Sequence, residues 1–355
     1  MEERGDVARM HEYHKPLVLE DVPVPDIRPD KVLVKVTAAR MCRTDMQLID
    51  GYFQKYAHMT LPATPGARGG GQRPQDRQRG AKAAGLEEGD AVVVVGGSGD
   101  GTCRHCQVGN TQVCPHGRWI GFGPYGGYSE FAPVAARYLI TVDKRPKPEE
   151  LAPLTDAGIT PYRGIKKLRD AGALGPDRVM AVFGVGGLGA YAVQYAKLLG
   201  GGATVVAFAR HPDKLAVARE FGADPVISTR GKSTDDIRKE LAAATGRGEL
   251  DAVIDCAGAE EMLRTGFQLL AVGAHYASCG LVGDRVDIPL FPFVAREYTY
   301  HGSFWGSYTD LSEVMALASA GKIRHTVKPI TFEQINENID LLRTGEVVGR
   351  AVVKF

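Results

Sequence analysis

The run from Val179 to Gly200, VMAVFGVGGLGAYAVQYAKLLG, sets an apolar strand, a glycine loop and a helical stretch in direct succession. A lone G-x-G-x-x-G carries little weight; a strand before it and a helix after it make it a phosphate-cradling loop. Gly184 permits the tight turn, Gly186 lets the backbone approach a pyrophosphate, and Gly189 lets the helix pack close to the strand, with Gly187 and Leu188 completing the loop. The helix N-terminus adds unbonded N–H groups and a positive dipole. The stretch predicts a Rossmann unit that holds a nicotinamide dinucleotide. An acidic residue at the end of the second strand would accept hydrogen bonds from the ribose and repel a 2′-phosphate. Ala209 stands there instead, followed by Arg210, whose guanidinium can fork a phosphate. The expectation is NADP, with NAD as the alternative.

Outward from that loop, residues 173–300 alternate apolar strands with helical stretches, the texture of βαβ units on a parallel sheet. Before it the texture differs. Short strand-like runs such as KVLVKVTAA are broken by the proline-rich VPVPDIRPD, which predicts a mainly β region. After it come two helical patterns, LSEVMALASAGKI and FEQINENIDLLRTG, and a closing strand, read as folding back onto the N-terminal region.

The bulk properties fit two soluble domains. The chain has 355 residues, 44% hydrophobic and 24% charged, with 43 basic against 42 acidic side chains, so no overall charge recruits nucleic acid. No apolar run is long enough to span a bilayer and the start lacks a signal-peptide core, so a cytoplasmic location and no membrane partner are expected. Six cysteines are too few for a disulfide scaffold in a chain of this length.

Three of those cysteines crowd together. Asp100, Cys103, Cys106 and Cys114 recur at spacings a short loop can fold into one tetrahedron, with His105 a competing donor. Thiolates suit zinc, and four protein ligands leave no place for water, so such a site is structural.

With these pieces placed, the chain resembles the zinc-dependent alcohol dehydrogenases of the medium-chain dehydrogenase/reductase superfamily over nearly its whole length. The matching motifs, in order, are Cys42-Arg43-Thr44-Asp45, G-D-G-T-C-R-H-C, A-P-L-T-D-A-G-I-T-P-Y-R at 152–163, the glycine loop, and the closing G-R-A-V-V. The A-P-L-T-D-A-G form looks most like an archaeal and bacterial branch with Asp at the catalytic metal. The resemblance implies an α/β chain: a GroES-like, mainly β catalytic domain over 1–159 and 298–355, with a zinc lobe near 96–118, and a doubly wound Rossmann domain over 160–297. It implies reversible hydride transfer between an alcohol and NAD(P), and a homodimer or homotetramer. A catalytic zinc would be held by Cys42, by the His of a G-H-E motif and by Asp156, with Thr44 relaying the alcohol proton. Arg43 and Arg350 would contact the pyrophosphate, Thr160 the nicotinamide side, and Asp45 would orient the zinc-binding His.

The sequence departs from that pattern at one place. Gly66-Ala67-Arg68 stands where G-H-E is expected, and no histidine occurs from 59 to 104; His58 is the nearest substitute. Residues 65–84 also lack every large apolar side chain and carry five basic residues against Asp76, a composition that does not pack as a core strand. A compensated reading-frame shift fits this composition. Three functions follow for comparison: a zinc-assisted alcohol dehydrogenase or ketone reductase, a zinc-free quinone or enone reductase of the same superfamily, and a catalytically impaired NADP-binding protein.

Overall fold

The computed structural model describes residues 3–28, 30–56, 59–68, 70–72, 85–285, 287–345, 347 and 349–355, with backbone alone for 67, 68 and 70–72. His58 and residues 73–84 lie outside the described residues. The chain divides into two compact units, 1–156 with 306–355, and 157–305.

The unit 157–305 is built on a six-stranded parallel sheet. Its order is Val226–Ser228, Thr204–Ala209, Val179–Phe183, Leu250–Asp255, Leu270–Ser278 and Thr299–Gly302. All five residues of Val179–Phe183 are buried, as expected of a central parallel strand covered on both faces. Chain order reverses beside that strand, so the glycine loop leaves the sheet at the topological switch point, where doubly wound folds bind ligands. Phe183, Phe208, Phe267 and Tyr276 pack the core. The sequence boundary at 297/298 falls short of the observed 305/306, because Thr299–Gly302 pairs with Leu270–Ser278 and belongs to this sheet.

The other unit is mainly β. A five-stranded sheet runs in the order Phe131–Ala135, Lys31–Val36, Gly70–Gln72, Ala91–Val94 and Leu139–Thr141. A four-stranded sheet joins Val327–Ile330, Arg350–Lys354, Ala38–Arg40 and Ala67–Arg68. The C-terminal segment thus contributes two strands and the helices Tyr308–Ser319 and Ile335–Thr344 to this unit. One sequence expectation is corrected. The start of the glycine- and arginine-rich stretch does form strands, because its backbone finds ladder partners in Lys31–Val36, Ala91–Val94 and Ala38–Arg40. A strand needs paired N–H and C=O groups before it needs apolar side chains. Among the described residues, no helix is long and apolar enough to cross a membrane.

Candidate functional site

Four candidate metal-ligating side chains are brought together by a single stretch of chain. Asp100, Cys103, Cys106 and Cys114 bring one ligand atom each within 4.8 Å of all the others, and His105 is not among them. The Cys103 Sγ lies 3.6 Å from Cys106 Sγ and 3.7 Å from Cys114 Sγ, and Asp100 Oδ1 lies 3.5 Å from both Cys106 and Cys114. Zinc–sulfur bonds of about 2.3 Å in a tetrahedron give edges of about 3.8 Å, so this donor set has the spacing zinc requires. Gly99 makes room for it, since a Cβ there would lie 2.3 Å from Cys106 Sγ, and its carbonyl accepts from Tyr138 Oη and Arg137 Nη2. The Thr102 N–H and hydroxyl hold Asp100 below the usual carboxylate range. The Cys106 N–H likewise lowers the Cys103 thiol, whereas desolvation pushes Cys106 up to about 11. A bound cation would have to displace the Cys106 proton.

The glycine loop has the geometry of a dinucleotide cradle. Gly184 adopts φ +80°, and a Cβ at Gly189 would meet the Gly184 carbonyl oxygen at 1.9 Å, so both glycines are required by the protein itself. Gly186 is different: a Cβ there meets nothing within 4 Å. That leaves open space over the loop for a pyrophosphate. The helix Gly189–Leu199 begins without a side-chain cap; its Ala190 N–H turns back on the Gly186 carbonyl at 3.0 Å and its Tyr191 N–H on the Leu188 carbonyl at 3.1 Å, so what the helix end offers a ligand is its positive dipole. Ala209 closes the strand Thr204–Ala209, and Arg210 is exposed just beyond it. Asp255, which no motif had marked, organises the neighbouring loop: its buried carboxylate accepts from the N–H groups of Ala257 and Gly258, both at 2.8 Å, and from Tyr276 Oη at 3.0 Å. Thr160 is buried in the first turn of the helix Ile159–Asp170.

In the other unit, Cys42 caps the helix Arg43–Ile49, its Sγ accepting the Thr44 N–H at 3.2 Å, and burial pushes its thiol up. Arg43 is exposed and Thr44 half-buried. Asp45 accepts from the N–H groups of Cys42 (2.8 Å) and Gly66 (3.0 Å) and from Tyr128 Oη (3.0 Å). Its carboxylate, expected to orient a zinc-binding His, is thus engaged by these three donors, and burial raises its pKa. Arg350 is buried at the start of Arg350–Lys354 and donates to the Met41 carbonyl at 3.1 Å.

Asp156 follows the turn Ala152–Thr155, and its carboxylate faces a residue that sequence reasoning passed over. Arg40 Nη1 lies 3.2 Å from Asp156 Oδ2, with 4% of the arginine side chain exposed. Burial opposes this charge, yet Asp156, Cys42 and Asp45 together raise the guanidinium's pKa. Asp156 is therefore already paired with a cation that belongs to the chain. Among the described residues, Asp156 and Cys42 form no metal-ligating group with a third donor. A carboxylate already paired with a guanidinium, beside a thiol that burial keeps protonated and with Ala67 at the expected His position, does not fit a catalytic zinc.

Comparison with known proteins yields a coherent set. A family described as zinc-binding dehydrogenase matches residues 187–320, and the alcohol dehydrogenase GroES-like domain matches 28–144. An NAD-dependent alcohol dehydrogenase of Sulfurisphaera tokodaii is 33% identical over 97% of this chain and 98% of its own length. A D-arabinose 1-dehydrogenase (NADP(+)) of Saccharolobus solfataricus is 30% identical over 99% and 97%. The crystal structure of an alcohol dehydrogenase from Aeropyrum pernix superposes with a TM-score of 0.90 at 34% identity, covering 99% of this chain and 100% of that one.

Proposed function

Because this chain belongs to the zinc-binding alcohol dehydrogenases of the medium-chain dehydrogenase/reductase superfamily, we propose that it interconverts small alcohols and carbonyl compounds with NADP(H), holding one structural zinc. The carrying observation is the open space over Gly186, beside two glycines that the protein's own backbone demands. When bound, the nicotinamide accepts or returns the hydride of the carbinol carbon. The chain's part is to bind and orient. The glycine loop and the N-terminus of Gly189–Leu199 take the pyrophosphate, and Thr160 borders the nicotinamide. Thr44 holds the alcohol proton through its hydroxyl and passes it toward solvent. Asp100, Cys103, Cys106 and Cys114 would hold the structural zinc, a reading supported by their tetrahedral spacing.

Selection of NADP rests on Ala209 and Arg210. Arg210→Ala is expected to raise the Kd for NADPH about tenfold, near 1.4 kcal/mol, and to leave that for NADH unchanged. Fluorescence titration reads both constants. Equal losses for the two dinucleotides would end the assignment.

We also infer a homodimer or homotetramer. Leu290, Phe291 and Val294 stand 74%, 81% and 64% exposed on the short helix Leu290–Ala295, an apolar face of the kind subunit contacts cover. A single-protomer mass in sedimentation velocity would refute it.

A further inference from the structure

The strand Ala38–Arg40 pairs antiparallel with Ala67–Arg68, and in that register Arg40 stands directly opposite Ala67. Positions directly opposite one another share a face of an antiparallel pair. The place of the absent zinc-binding His is therefore faced by an arginine. Two further observations concern that side chain. Its Nη1 reaches Asp156 at 3.2 Å, and its Nε and Nη1, both buried, have no hydrogen-bond partner among the described residues. A guanidinium carries only donors and keeps its charge at every working pH. A divalent cation brought to Asp156 and Cys42 would lie against a like charge in surroundings that screen it poorly.

We propose that the Arg40 guanidinium takes the place of the catalytic zinc, neutralising Asp156 and excluding metal from it, so that zinc binds only at Asp100, Cys103, Cys106 and Cys114. The proposal rests on the functional reading above for the meaning of the site, and on Arg40 alone for the exclusion.

The test is zinc content by mass spectrometry of the folded, full-length chain, after saturation with zinc and removal of excess. The wild type, Ala67→His and Arg40→Gly are each expected to hold one zinc, and Arg40→Gly combined with Ala67→His to hold two. Arg40→Lys combined with Ala67→His keeps the positive charge and is expected to remain at one. A second zinc in the wild type or in Ala67→His alone would overturn the proposal, and so would a folded double variant that stays at one. If the glycine variants do not fold, Arg40→Gln with Ala67→His carries the same comparison. NADPH titration of every sample keeps the functional reading separate: loss of dinucleotide binding throughout defeats that reading, whereas the zinc counts alone judge Arg40.

Discussion

Asp156→Ala is expected to lower unfolding stability by about 3–5 kcal/mol, the cost of leaving one partner of a buried ion pair without the other. Arg40 is 3% exposed, so water cannot replace the lost carboxylate, and two of its guanidinium nitrogens already lack hydrogen-bond partners among the described residues. The Coulomb attraction itself is a poor guide here, because each charge gave up its hydration on burial. A double-variant cycle separates the two effects. Arg40→Met with Asp156→Ala removes both charges and keeps apolar volume in the strand, so it should recover most of the loss suffered by Asp156→Ala alone. Urea unfolding reads each variant. If Asp156→Ala lies within about 1 kcal/mol of the wild type, the pair is a solvated contact of the kind that contributes little.

What the sequence made legible, and what it hid, follows from how local each feature is. The glycine loop was readable because strand, turn and helix are contiguous, and each glycine answers a constraint set within a few residues. The cluster at Asp100, Cys103, Cys106 and Cys114 was readable for the same reason: one loop carries every donor. Arg40 was hidden because its meaning depends on partners far along the chain. Asp156 reaches it across the unit, and Ala67 faces it only once the strand register is known. Gly70–Gln72 was misread by composition; its order comes from the apolar strands on either side, with Gly71 paired to both Val36 and Val92. Thr299–Gly302 was assigned to the wrong unit because an edge strand reading Thr-Tyr-His-Gly has neither apolar alternation nor a turn signal.

Two glycines of one loop are expected to fail in opposite ways. Gly189→Ala drives a Cβ to within 1.9 Å of the Gly184 backbone oxygen, an atom that no side-chain rotation can move. Loss of stability by at least about 1–3 kcal/mol is expected, and dinucleotide binding should fall with the fold. Gly186→Val adds its side chain where a Cβ meets nothing within 4 Å, so its stability should stay within about 0.5 kcal/mol of the wild type. Its Kd for NADPH should nevertheless rise about a hundredfold, near 2.8 kcal/mol, because the added methyls stand where the pyrophosphate approaches the backbone. Thermal unfolding and fluorescence titration on the same samples distinguish the two. The contrast matters more than either value: a position the protein leaves empty, and at which filling the space costs only ligand affinity, is a position reserved for the ligand. Wild-type NADPH affinity in a stable Gly186→Val chain would mean that the pyrophosphate lies elsewhere, and the open space over the loop would lose its functional reading.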